Sequence, residues 1–166
     1  MKKTPLLMWA VVMLMTSCQQ KPVTVAVDPE AVKAELATFM DEYNVVYKAM
    51  DINKMTAFCT DNAMFLGSDP SEFWNKKQIT DYFMAQGTDS TMKLEFKVDR
   101  REIMVAADGK SAIVVEQFFI PLISTKIQVR CIDKVVKVND KWMFDFLSWN
   151  IVARNEDIPK INAALE

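Results

Sequence analysis

The apolar residues of this chain change period once, from helical steps of three and four to strict alternation, and that switch limits the fold more than any other feature. Val32, Leu36, Phe39, Met40, Tyr43, Tyr47 and Met50 form the first pattern, an amphipathic helix opened by Asp28 as N-cap and Pro29 in the first turn. Asp51 caps a shorter helix through Cys59 that buries Ile52, Met55 and Phe58. Residues 63–67 read as a short strand and Ser68-Asp69-Pro70-Ser71 as a loop. A third helix is predicted over 77–86, with Ile79, Tyr82 and Phe83 on one side and Gly87 at its C-terminal cap. From Met92 the alternation begins: Leu94, Phe96 and Val98 interleave with Lys93, Glu95, Lys97 and Asp99, and Asp99-Arg100-Arg101-Glu102 breaks phase as a bulge does. Asp108-Gly109 and Asn139-Asp140 are hairpin signals that separate strands over 111–122, 125–138 and 141–153. Helices first and antiparallel strands last make an α+β domain.

The last strand is apolar on both faces, with Trp142, Phe144 and Phe146 on one side and Met143, Leu147, Trp149 and Ile151 on the other. Asp145 by parity shares the second side and reads as a surface or interface acid. Helices can cover one face of such a sheet, and a second copy of the chain is the economical cover for the other, so a homodimer is expected. The segment after Asn155 is expected to end in a terminal helix packing Ile161 and Leu165.

Absences narrow the chemistry. The chain has no histidine and only three glycines, Gly67, Gly87 and Gly109, which excludes a Ser-His-Asp triad, an H-E-x-x-H zinc site and the glycine-rich nucleotide loops. Lys and Arg number 20 against 22 Asp and Glu, without the basic surface that nucleic acid requires. Scattered cysteines and carboxylates lead to no metal site, and no cofactor is expected. Cys59 and Cys131 sit among apolar neighbours and read as unpaired core thiols, although an oxidising compartment could pair them.

The amino terminus reads as an address. Lys2 and Lys3 precede an apolar run from Leu6 to Met15, too short to span a bilayer. It ends in Leu14-Met15-Thr16-Ser17-Cys18, which resembles a bacterial lipobox and implies lipidation of Cys18; an ordinary secretory signal cleaved nearby is the alternative. Residues 1–17 are therefore expected to be a signal peptide, 18–27 a tether and 28–166 a single domain, held by its lipid on a bacterial cell envelope, periplasmic or surface-exposed.

Several local patterns resemble one fold family from about Pro29 to Arg154. Tyr47-Lys48-Ala49-Met50-Asp51-Ile52, Thr60-Asp61-Asn62-Ala63-Met64-Phe65, the run Phe73-Trp74-Asn75 through Tyr82-Phe83, and Lys141-Trp142-Met143-Phe144-Asp145-Phe146-Leu147-Ser148-Trp149 are similar to the successive elements of nuclear transport factor 2-like proteins of the SnoaL-like branch. The resemblance implies a cone-shaped fold with N-terminal helices packed on a curved, mainly antiparallel sheet. In it Asn75 stands where relatives carry a glycine, a mild departure because asparagine also tolerates left-handed backbone.

The resemblance and strand parity together give an expected pocket lining of Tyr47, Phe65, Trp74, Phe83, Gln117, Arg130, Phe146, Ser148 and Asn150. Phe146 and Ser148 fall where many relatives direct histidines into the cavity. Either Glu116 or Gln117 must point inward, with Arg130 a candidate partner. The expected function is non-catalytic binding of a small apolar molecule or an envelope protein. The alternative is a His-free acid/base enzyme of isomerase, cyclase or hydrolase type, with Tyr47, Glu116 and Asp133 as candidate catalytic residues. A hydrolase pairing Arg130 with Asp133 would need a bulge between them, since they are three apart on one strand. A carboxylate with a strongly raised pKa inside the pocket would favour the enzyme.

Overall fold

The computed structural model describes residues 27–85 and 93–166. The expected signal peptide, Cys18, all of the expected tether except Val27, the expected Gly87 cap and Met92 lie outside the described residues. Helix α1 (Pro29–Lys48) starts where the sequence places it: the Asp28 carboxylate accepts from the backbone N–H groups of Glu30 and Ala31. Leu36, Phe39, Met40, Tyr43 and Asn44 form its buried stripe. Helix α2 (Ile52–Ala57) is capped by Asp51. Strands β1 (Cys59–Leu66) and β2 (Phe73–Asn75) follow, then α3 (Lys76–Ala85), β3 (Val98–Val105), β4 (Ser111–Phe118), β5 (Gln128–Val138), β6 (Lys141–Val152) and α4 (Ile158–Leu165).

The strands form one six-stranded sheet in the order β2-β1-β6-β5-β4-β3, in which only the β1–β6 pairing is parallel. Helices α1 to α3 cover one face, and the core of Leu36, Met40, Phe65, Ile79, Val114, Val135, Phe144 and Leu147 lies between. The expected α+β cone is present. Both hairpins form as the turn chemistry demands, with Gly109 at φ 65° and Asn139 and Asp140 at 49° and 61°. The bulge at Asp99 is real, since the β3–β4 register shifts between Val98 and Arg100.

Five expectations are corrected. Residues 93–97 alternate in burial but belong to no strand, because Leu94 gives its N–H to the Lys48 carbonyl. Strand β4 stops at Phe118 and not at 122, where the chain turns at Pro121. Asn75 does not adopt left-handed backbone; its side-chain oxygen accepts from the Gln78 N–H while the Gln78 side chain accepts from the Asn75 N–H, a reciprocal cap that starts α3. Helix α4 buries none of its residues, and Ile161 and Leu165 are exposed. Finally, the β5–β6 register shifts between Lys134 and Val135, which pair with Phe146 and Phe144. Asp145 is the extra residue, and it turns every side chain after it to the opposite face from the one simple parity assigns. Its carboxylate accepts from Thr60 and Lys134 at the outer surface.

Candidate functional site

Three chain segments end together at one end of the sheet: β1 at Leu66, β4 at Phe118 and β6 at Val152. Between them and the helices opens a cavity of about 340 Å³. Tyr47 and Met50 enter from the end of α1, Trp74 from β2, Tyr82 and Phe83 from α3, Ile120, Leu122 and Ile123 from the β4–β5 loop, and Trp149 and Ile151 from β6. The wall is mainly aromatic and aliphatic, and among the described residues its one formally charged member is Glu72. Trp149 stacks on Phe65 with ring centroids 6.3 Å apart and lies 6.5 Å from Tyr47. Trp74 lies 4.9 Å from Tyr82.

Of the nine residues expected to line the pocket, Tyr47, Trp74, Phe83 and Asn150 do so. Phe65 is core, buried beneath Trp149. Gln117, Arg130, Phe146 and Ser148 are on the outer face of the sheet, where Gln117 pairs with Arg130 and Lys134 with Phe146. For Phe146 and Ser148 the cause is the Asp145 bulge. For Gln117 it is the parity of β4, whose even-numbered residues from Ala112 to Phe118 are the buried ones. Arg130 is not the partner of the inward residue, Glu116; its Nε and Nη2 donate instead to Oε1 of the outward Gln117 at 3.0 and 2.7 Å. Met50, Leu94 and the 120–123 loop were not signalled by the sequence, since alternation stops in that loop and the cavity depends on how it folds over the strand ends.

Glu116 and Asp133 point inward and are buried. Glu116 faces Cys131 and Asp133 faces Val114, which makes the two acids diagonal neighbours on adjacent strands, roughly 7 Å apart. Glu116 is paired: Arg101 Nε and Asn44 Nδ2 donate to its carboxylate. Arg101 also donates to the Ala37 carbonyl and to Asp41. Among the described residues Asp133 Oδ1 has no partner. Burial, and then the neighbouring Glu116, push the Asp133 carboxyl well above the usual carboxylate range, with the Ser148 backbone N–H opposing. Burial likewise raises Tyr43, Tyr47 and Cys131, and pushes the Cys59 thiol up to about 12. Both thiols are buried and free.

These acids do not line the open cavity. They border a separate void of about 10 Å³, and Tyr47 and Trp149 line both spaces. Arg130 and Asp133 face opposite sides of β5 with no bulge between them, so their cooperation around one water has no geometric basis. Among the described residues no cluster of three or more metal-ligating side chains occurs, and no helix is long and apolar enough to cross a membrane.

The sequence profile of the SnoaL-like domain family matches residues 36–145. Solved structures share the fold at low identity. A nuclear transport factor 2-like protein of unknown function from Pseudomonas putida superposes with a TM-score of 0.62 at 14% identity, over 76% of this chain and 91% of its own. A protein provisionally named a ketosteroid isomerase, from Parabacteroides distasonis, gives 0.57 at 13% identity, over 70% and 85%. A protein provisionally named a scytalone dehydratase, from Novosphingobium aromaticivorans, gives 0.57 at 13%, over 75% and 87%. No curated protein matches the chain.

Proposed function

Because the chain belongs to the SnoaL-like domain family, we propose that its cone is a binding site for a small, largely apolar molecule and carries out no reaction on it. The observation that carries this reading is the composition of the cavity wall: aromatic and aliphatic side chains from five elements around about 340 Å³, with Glu72 the one formally charged residue among the described residues that line it. A few hundred cubic ångströms with an apolar wall and few polar groups suits a small organic ligand. The acid/base alternative has one observation in its favour, the raised Asp133 carboxyl. Against it, Tyr47 and Trp149 stand between that acid and the cavity, and a general acid must come within hydrogen-bond reach of its substrate.

The setting belongs to the same proposal. Lipidated at Cys18, the domain would stand on a bacterial envelope membrane. Val27 lies against the β3–β4 hairpin, where a Cβ on Gly109 would come within 2.6 Å of it. That hairpin is at the far end of β4 from the cavity. The outer sheet face carries Met64, Met104, Ile132 and Phe146 among polar residues. Five strands about 4.8 Å apart and about 26 Å long offer roughly 600 Å² per chain, and two copies bury roughly 1,200 Å², enough for a specific interface. A second copy of the chain is the proposed cover.

Native mass spectrometry of the purified protein, before and after mild denaturation, tests the binding reading. One defined apolar mass per subunit is expected. A protein that carries no such mass and takes up neither a neutral dye such as Nile red nor naphthalene would overturn it.

A further inference from the structure

We infer that the cavity takes an apolar molecule bearing one ammonium group, with the charge held at the rim by Glu72 beside the rings of Trp74 and Tyr82. This rests on the binding reading above and names the ligand class. Glu72 and Trp74 are two apart in extended chain, which places both on the cavity wall and turns Phe73 between them outward, 65% exposed. Tyr82 from α3 meets Trp74 with ring centroids 4.9 Å apart. The face of an aromatic ring attracts a cation through its quadrupole, and here a carboxylate shares the wall with two such rings.

The carboxylate is held in place. The Gly67 N–H donates to the Glu72 carbonyl at 3.0 Å and closes the β1–β2 turn. Because Gly67 has no Cβ, the Glu72 side chain lies directly over it, where a methyl would meet Oε2, Cδ and Cβ. The Asp69 N–H donates to Oε2 at 3.0 Å, one hydrogen bond on a group that can accept about four. The lysines nearest in the chain are engaged elsewhere: Lys76 with the Cys59 carbonyl and Asp61, Lys77 with Asp81. Residues 86–92 add no lysine or arginine. Among the described residues no cation of the chain pairs with Glu72.

The position of the charge selects the ligand. Glu72 is half-buried, so an ammonium beside it keeps part of its hydration while the apolar body lies against Tyr47 and Trp149. The same ammonium placed deep among the rings would lose its water and find no carboxylate on the wall. A carboxylate head would meet the like charge of Glu72. A neutral hydroxyl would form a hydrogen bond roughly half as strong as the charge-assisted one.

Four probes on one ring system test the inference by equilibrium dialysis against the purified full chain: naphthalene, 2-naphthalenemethanol, 2-(aminomethyl)naphthalene and 2-naphthoate. We expect the amine to bind about tenfold tighter than the alcohol, the scale of one charge-assisted hydrogen bond, and naphthoate to bind most weakly. In Glu72→Gln, which keeps an accepting oxygen for the Asp69 N–H, the advantage of the amine over the alcohol should vanish. Should that variant fail to fold, the carboxyl ¹³C resonance of Glu72 in the unaltered protein gives the answer, moving with the amine and not with the alcohol. An amine no tighter than the alcohol, an advantage that survives Glu72→Gln, a static carboxyl resonance, or tightest binding of naphthoate would each overturn the ammonium site while leaving the apolar cavity standing. Failure of all four probes to bind would overturn the binding reading, and the ammonium site with it.

Discussion

Arg101 on β3 and Glu116 on β4 are register partners across the sheet, and the guanidinium reaches inward to neutralise a carboxylate that is only 2% exposed. The same guanidinium binds Asp41 at 2.7 Å and the Ala37 carbonyl at 3.1 Å, tying the sheet to α1. Removing one member of a buried pair strands the other's charge, at a cost of about 3–5 kcal/mol. Arg101→Met should therefore destabilise the protein by about that much in urea unfolding. The double variant Arg101→Met/Glu116→Leu should recover most of the loss, because no buried charge is left behind.

Asp133 predicts an unusual pH dependence. Its folded pKa is raised, so between the ordinary carboxylate value of about 3.9 and that raised value the folded protein keeps a proton that the unfolded chain has lost. The Asp133 contribution to stability is complete below the unfolded value. It is lost as pH rises through the window, by up to about 1.4 kcal/mol per unit. Asp133→Asn cannot ionise, so relative to the unaltered protein it should gain stability between pH 5 and pH 8, as read from urea midpoints at several pH values. A constant difference across that range would contradict the assignment.

Gly67 lies at the cavity rim, and a Cβ there would collide with the Glu72 side chain. That carboxylate also accepts from the Asp69 N–H at 3.0 Å, holding the β1–β2 turn. Gly67→Ala should cost about 1–3 kcal/mol through overpacking and weaken Nile red binding by moving the turn. Glu72→Gly in the same chain, which removes the Cβ as well as the carboxylate that the new methyl would meet, should relieve the collision and restore dye affinity, as followed by fluorescence titration.

The reciprocal bonds between Asn75 and Gln78 predict that Asn75→Ala lowers stability by about 1 kcal/mol, the usual worth of an N-cap. Thermal unfolding would show it as a drop of a few degrees, whereas Asn75→Asp, which keeps the accepting oxygen, should stay near the starting value.

If a second copy covers the outer sheet face, a charge placed at its centre must break the contact without unfolding the subunit. Ile132 is 37% exposed and is paired with Ser148 on that face. Ile132→Glu should shift the light-scattering mass from two chains to one, with circular dichroism unchanged. A single-chain mass for the unaltered protein at micromolar concentration would rule the arrangement out.

Element order, helix starts and turns were legible in the residues alone, because each depends on neighbours a few positions apart. Asp28 and Asp51 satisfy N–H groups within three residues, Asn139-Asp140 needs only its own positive φ, and the change of period needs only a short window. The resemblance to SnoaL-like domains rested on the same local runs, and the matching profile covers most of them. What faced the cavity was decided elsewhere. One extra residue at Asp145 sends Phe146 and Ser148 to the outer surface and brings Leu147 and Trp149 inward, and a bulge of one residue leaves no mark in a strand already apolar on both faces. The choice between Glu116 and Gln117 fell to Arg101, fifteen residues away and one strand over. The separation of Asp133 from the open cavity depends on Tyr47 from α1 meeting Trp149 from β6, two residues that only the packing of helix on sheet brings together. Local hydrogen bonding writes itself into adjacent residues, while the facing of a strand and the partition of a cavity are set by contacts distant in the chain.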